Sequence, residues 1–243
     1  MKVMVIVQAR MTSSRLPGKV LMPVLGRPLL AIQLERLKAC KLVQGIVVAT
    51  TQNSCDDALV NLARSSGVFY FRGDENDVLS RYYGAAKLFG AEVVVRVTAD
   101  CPLIDPRVVD RVIRYYLDHA DRYDYVSNVI QRTYPRGMDT EVFPFSVLEK
   151  LSGMELEPRY REHVTAYLYQ HPAEFRLGGV EYERSESGHR WTVDTPQDFE
   201  LIRRMLEALY EDNPLFSLED ALTLLQKHPA WSQLNAEINQ KEV

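Results

Sequence analysis

Between Gln8 and Val20 the chain carries Arg10, Arg15 and Lys19, the adjacent serines Ser13 and Ser14, and Gly18, with no acid among them. That set suits a polyphosphate. The cations offset its charge, and hydroxyl and backbone N–H groups donate to its oxygens. A solvated basic loop is the alternative reading. The GxxxxGK[ST] of a P-loop and the GxGxxG of a dinucleotide fingerprint are both missing. Two aspartates elsewhere supply the complementary chemistry: Asp100, followed by Cys101-Pro102-Leu103, and Asp194, followed by Thr195-Pro196. Two hard carboxylate oxygens facing a bound triphosphate suit Mg²⁺, which takes one or two carboxylates with phosphate oxygens and water. Taken singly, each aspartate also fits a turn or a helix cap.

The elements that would position these residues are legible from periodicity. Residues 3–9 form a continuous β-branched run, predicting a strand buried on both faces that feeds the basic loop. Residues 46–50, 68–71 and 92–98 read as further strands, the last delivering Asp100 to the same edge. Helices are predicted over 29–40, 53–66 (with Asp56 and Asp57 in its first turn), from an Asp77 cap to about 89, and after Pro106. This alternation predicts an α/β chain with a mostly parallel sheet covered on both faces. In such sheets ligands bind at the carboxyl edge, which strengthens the phosphate reading of the first loop. From about 123 to 190 the pattern turns mixed, with strands expected at 125–130, 140–144 and 175–182. A short strand is expected to end at Asp194, followed by helices after Pro196 and over 217–227.

The chain has 243 residues, 46% of them hydrophobic and 26% charged, so one globular domain over 1–243 is expected. With 29 basic and 33 acidic residues, the net charge of −4 leaves no global basic field for nucleic acid. Cys40, Cys55 and Cys101 form no CxxC pair, and no apolar run approaches a membrane span. A cytoplasmic location, away from membranes, is expected.

Ala9-Arg10 through Ser14-Arg15-Leu16-Pro17-Gly18-Lys19, Asp100-Cys101-Pro102-Leu103 and Val193-Asp194-Thr195-Pro196-Gln197-Asp198 together resemble the signatures of the cytidylyltransferases that make CMP-activated sugars. These are the CMP-Kdo and CMP-acylneuraminate synthetases, and the branch tied to spore-coat polysaccharide biosynthesis is the nearest in pattern. The resemblance spans about residues 3–210. It implies a Rossmann-like three-layer nucleotidyltransferase fold whose mostly parallel sheet carries a mixed α+β insertion. It also implies a homodimer paired through that insertion. The better-known synthetases have Gln-Gly-Asp where this chain has Thr98-Ala99-Asp100, and the acceptor segment differs as well.

By the same resemblance, Ala9, Arg10, Ser14, Arg15, Lys19, Arg72, Asp77 and Thr98 bind CTP, while Asp100 and Asp194 hold Mg²⁺. Arg136, Asp139, Glu141 and His163 shape the pocket of a sugar-like acceptor. The implied reaction is attack on the α-phosphorus of CTP with loss of pyrophosphate, with Arg10, Arg15, Lys19, Asp100 and Asp194 as catalytic residues. Arg132 and Arg136 suit an anionic acceptor if they face the pocket, and are surface residues otherwise. His163 fits either a functional or a packing role. The competing readings are a glycosyltransferase, which would normally show an Asp-x-Asp metal motif, and a non-catalytic scaffold, in which the charged set would have decayed.

Overall fold

A computed structural model describes residues 1–238. The chain opens with β1 (Val3–Gln8), a small hairpin of β2 (Pro23–Val24) and β3 (Arg27–Pro28), and α1 (Leu29–Lys38). It continues through β4 (Gly45–Thr51), α2 (Asp57–Ser65), β5 (Phe69–Gly73), α3 (Val78–Leu88), β6 (Val93–Thr98) and α4 (Pro106–Asp118). The mixed segment holds β7 (Tyr125–Ser127), β8 (Glu141–Pro144), α5 (Phe145–Ser152), α6 (Pro158–Glu162), α7 (Ala166–Gln170) and β9 (Leu177–Gly179). It ends with α8 (Pro196–Leu209) and α9 (Leu218–Lys227).

One sheet has the order β5-β4-β1-β6-β8-β7-β9. β5, β4, β1 and β6 are parallel, β8 runs antiparallel to β6, and β9 runs parallel to β7. The central strands are apolar on both sides because each side is covered. Val3, Val5 and Val7 pack with Leu30, Leu34 and Leu59 of α1 and α2, whereas Met4 and Ile6 pack with Leu79 and Tyr82 of α3. A one-residue slip would exchange the two sets, so this burial fixes the register that pairs Gln8 with Thr98. Sequence order reverses between β1 and β6, so the crevice beyond their carboxyl ends is a topological switch point. Both chemistry-bearing segments leave the sheet there.

Three expectations need correction. The helix expected from 53 begins as a 3-10 turn at Ser54–Asp56, and the α-helix starts only at Asp57. The Asp56 carboxylate is drawn from the helix end by the hydroxyls of Thr50 (3.0 Å) and Thr51 (2.5 Å). The strand expected over 125–130 stops at Ser127, because the Asn128 side chain bonds to Met138 O (2.7 Å) and Thr140 N (2.8 Å) where a ladder would continue. No strand ends at Asp194 either. Arg190 makes an isolated bridge with Arg136, and beyond it Val193 N donates to Asp100 O at 2.8 Å. That single bond still brings Asp194 to the edge where Asp100 emerges.

Candidate active site

The basic loop is folded upon itself. Gly18 N donates to Met11 O (3.0 Å), a closure that Gly18 permits by adopting φ +71°. At its start, Met11 N donates to Asp56 Oδ1 (2.8 Å) and Ala9 N to Ala49 O (3.1 Å). Thr12 Oγ1 donates to Glu75 at 2.5 Å. Lys19 then opens a 3-10 turn, Lys19–Leu21, which turns its side chain into the crevice. Here it meets both aspartates: Nζ lies 2.7 Å from Asp194 Oδ1 and 3.2 Å from Asp100 Oδ2.

The other oxygens of the pair are also engaged. Thr98 Oγ1 donates to Asp100 Oδ1 at 2.5 Å, while Asp194 Oδ2 receives Arg15 at 2.9 Å and Arg190 at 2.8 Å. Burial alone would raise the Asp100 pKa, but the Lys19 ammonium and the Thr98 hydroxyl hold it below the ordinary carboxylate value. Burial disfavours the Lys19 charge, yet the two carboxylates keep its pKa above that of a free lysine. The four charged side chains Arg15, Lys19, Asp100 and Asp194 are therefore paired with one another.

These groups line one end of an open cavity of about 870 Å³. Arg10, Ser14, Arg15, Lys19, Thr98, Asp100, Asp194, Arg136, Asp139, Glu141 and His163 all line it. Three expected residues do not. Ala9 is buried beneath the loop. Arg72 is spent on Thr51 O, Asn53 O and Asp57, tying down the turn after β4. Asp77 caps α3 through Ser80 N (2.9 Å) and holds Arg161 at 2.5 Å.

The far end of the cavity is floored by the mixed segment. Arg96 and Glu141 form an ion pair there, with the Tyr125 hydroxyl donating to Glu141 at 2.9 Å. Arg132 is held bidentately by Asp139 at 2.7 and 2.8 Å, so its charge is already matched. Arg136 differs: it has no ion pair among the described residues, and burial together with nearby Arg132 and Arg190 lowers its pKa. Burial also lowers the His163 pKa below that of a free imidazole, which favours the neutral ring. The Thr192 hydroxyl lines the same cavity, buried and without a hydrogen-bond partner among the described residues.

Sequence reading passed over Arg96, Tyr169, Thr192 and Arg190. Arg96 left a signal, a lone charge inside the buried run from Val93 to Val97, where an ionic group needs a partner. Nothing local flagged Tyr169 or Thr192.

Asp100 Oδ2 and Asp194 Oδ1 converge on one small cationic group, so their placement fits a metal. Among the described residues, no cluster of three or more His, Cys, Asp or Glu side chains forms a metal-binding group. Two protein carboxylates alone leave most of the coordination shell to phosphate and water.

Residues 4–236 match the family model described as Cytidylyltransferase. The Bacillus subtilis spore coat polysaccharide biosynthesis protein SpsF is 35% identical over 234 residues, covering 93% of this chain and 95% of that protein. An uncharacterized protein of Methanocaldococcus jannaschii is 39% identical over 246 residues, covering 99% of this chain and 97% of that one. The solved structure of a cytidylyltransferase from Leptospira borgpetersenii serovar Hardjo-bovis superposes with a TM-score of 0.92 at 37% identity, covering 100% and 99% of the two chains. Its likeness extends the three-layer fold across the mixed segment. Among the described residues no helix is long and apolar enough to cross a membrane.

Proposed function

This chain belongs to the cytidylyltransferase family, and from that premise we propose that it transfers CMP from CTP to an acidic sugar-like acceptor, releasing pyrophosphate. The observation that carries the reading is the meeting of Lys19 with Asp100 and Asp194 beneath the Arg10–Gly18 loop, at the switch point of the sheet. Cations suited to a triphosphate and carboxylates suited to a divalent cation share one crevice, which supports this reading.

In this reading an acceptor oxygen attacks the α-phosphorus, a new P–O bond forms, and the bond to the β-phosphate bridging oxygen breaks. Such transfer depends on positioning and charge neutralisation. Lys19 and Arg15 exchange their carboxylate partners for phosphate oxygens and offset the charge that grows on departing pyrophosphate. Arg10 and Ser14 hold the same phosphates from the loop. Asp100 and Asp194, once released from the lysine, would hold Mg²⁺, which would neutralise phosphate charge and acidify the acceptor hydroxyl.

Arg136 supports an anionic acceptor: it is a cavity-lining cation that forms no ion pair among the described residues, although Asp139 lies near enough to favour its charge. Val129 and Ile130 line the same end and would meet the apolar face of a sugar ring. SpsF bears a name from spore coat polysaccharide biosynthesis, which supports a glycan destination for the product.

The test is a pyrophosphate-release assay with CTP, UTP, ATP and GTP against a panel of acidic and neutral sugars, each with and without Mg²⁺. Release confined to CTP, Mg²⁺ and acidic sugars supports the reading. Turnover of a finished nucleotide sugar without pyrophosphate would replace it with glycosyl transfer.

A further inference from the structure

The last described turn of the chain reaches the site from behind. After the 3-10 helix Pro229–Gln233, Asn235 is buried, and its side-chain amide donates two bonds of 2.8 Å, one to Arg190 O and one to Asp198 Oδ1. Asp198 is fully enclosed. Its Oδ1 also takes Arg190 Nε (3.0 Å), and its Oδ2 takes Arg190 Nη2 (3.2 Å) and the backbone amides of Asp194 and Thr195 (3.1 Å each). Arg190 passes this restraint forward through its 2.8 Å contact with Asp194 Oδ2.

We propose that Asn235 is a positioning residue for Asp194, through which the C-terminal segment sets how the carboxylate is presented to the nucleotide-bound cation. This rests on the cytidylyltransferase reading above. The geometry makes the role specific. Arg190 engages Oδ2, so Oδ1 is the oxygen left facing Lys19 and the crevice. Asp198 accepts from Arg190 Nε and Nη2, and the Asn235 amide adds a further bond to Asp198 Oδ1 that fixes this carboxylate against the guanidinium. Outer partners of metal-binding carboxylates typically change metal affinity 10–100-fold when removed. Trp231 and Leu234 pack on the same C-terminal layer, and Trp231 lies 5.9 Å from the Arg204 guanidinium, so Asn235 sits on an anchored segment.

The experiment uses full-length Asn235→Leu and Asn235→Ser. It reads the Mg²⁺ concentration needed for half of the CTP-induced rise in Tm, alongside kcat and KM for CTP. The expected result is a 10–100-fold rise in that Mg²⁺ concentration and a fall in kcat, with KM for CTP at saturating Mg²⁺ changed less than threefold. Asn235→Ser, which keeps a hydroxyl donor and adds no bulk, should lie between wild type and Asn235→Leu, and reads the effect should the leucine variant not fold. Tyr182→Phe, which removes a bond to Glu219 in the same layer, is the stability control. Wild-type Mg²⁺ dependence in a folded Asn235 variant, or an equal shift in Tyr182→Phe, overturns the proposal. A wild-type protein whose Tm responds to no Mg²⁺–CTP mixture overturns the underlying reading and this inference with it.

Discussion

The ammonium of Lys19 lies 2.7 Å from Asp194 Oδ1, at the point where Asp100 also converges. A side-chain cation thus stands where the two carboxylates would meet a divalent ion. Under the proposed function, a divalent ion and Lys19 would compete for the same oxygens, and a bound nucleotide would draw the lysine away. Mg²⁺ alone should therefore leave the wild-type Tm nearly unchanged, while Mg²⁺ with CTP raises it, by about 2.7 kcal/mol of stability at a hundredfold excess over Kd. A wild-type Tm that rises equally with Mg²⁺ alone would contradict this exchange.

Lys19→Ala separates the two roles of the lysine. Loss of one preorganised charged donor costs about 10²–10³-fold in rate, so kcat with CTP should fall at least that far in a folded protein. The same variant should gain a Tm response to Mg²⁺ alone, since both carboxylates are then free of their ammonium. Thermal melts with graded Mg²⁺ and a pyrophosphate assay check the two halves independently.

The ion pairs also set a pH window. Asp100 has a depressed pKa, so its contribution is present above the unfolded carboxylate value of about 4 and is lost as pH falls through the folded value. Lys19 has a raised pKa, so its contribution is present below about 10.4 and is lost as pH rises through the folded value. The Tm of the ligand-free protein should carry this contribution undiminished from about pH 5 to 9. Lys19→Met should show its largest Tm deficit near pH 7 and a smaller one at pH 3, below the unfolded carboxylate value, where the wild-type pairing contribution is falling away. A deficit constant across that range would show that the pairing contributes nothing to folding.

Arg136→Gln tests acceptor charge. A hydrogen bond to a charged group is worth about 1.5–3 kcal/mol, so KM for an acidic acceptor should rise roughly 10–100-fold while KM for CTP stays put. Arg132→Gln should behave differently, lowering Tm because Asp139 loses both of its bonds. Steady-state kinetics on both variants distinguish a substrate contact from a structural pair.

Gly137→Ala probes the loop that carries Arg136. Gly137 has φ +103°, and a Cβ there would fall 2.6 Å from Trp191 O. The penalty should exceed the ~1 kcal/mol typical of an incompatible backbone alone, because Arg136 bonds to His189 O and Trp191 N on either side. A reduced Tm with a raised acceptor KM is expected, read by thermal melts and kinetics.

The sequence by itself determined the parallel half of the sheet and which charged residues lie near its carboxyl edge. Apolar runs such as 3–7 and 93–95 are continuous because both faces are buried, and that pattern needs no partner to be read. The loop with Arg10, Ser14, Arg15 and Lys19, and the aspartates Asp100 and Asp194, could be placed near one edge because strands of a parallel sheet end together. Tertiary structure decided what those residues touch. Arg72 and Asp77 sit in recognisable motifs yet are consumed by Asp57 and Arg161, whose positions depend on how α2 and α6 pack. Arg132 is neutralised and Arg136 is not, a difference set by where Asp139 falls after the turn at Gly137. Asn235, 41 residues beyond Asp194, meets the active-site network only because α8 and α9 fold back over the chain. Local periodicity reports burial, which each segment carries in its own residues. Charge pairing is a property of two distant segments, and only the packed fold brings them together.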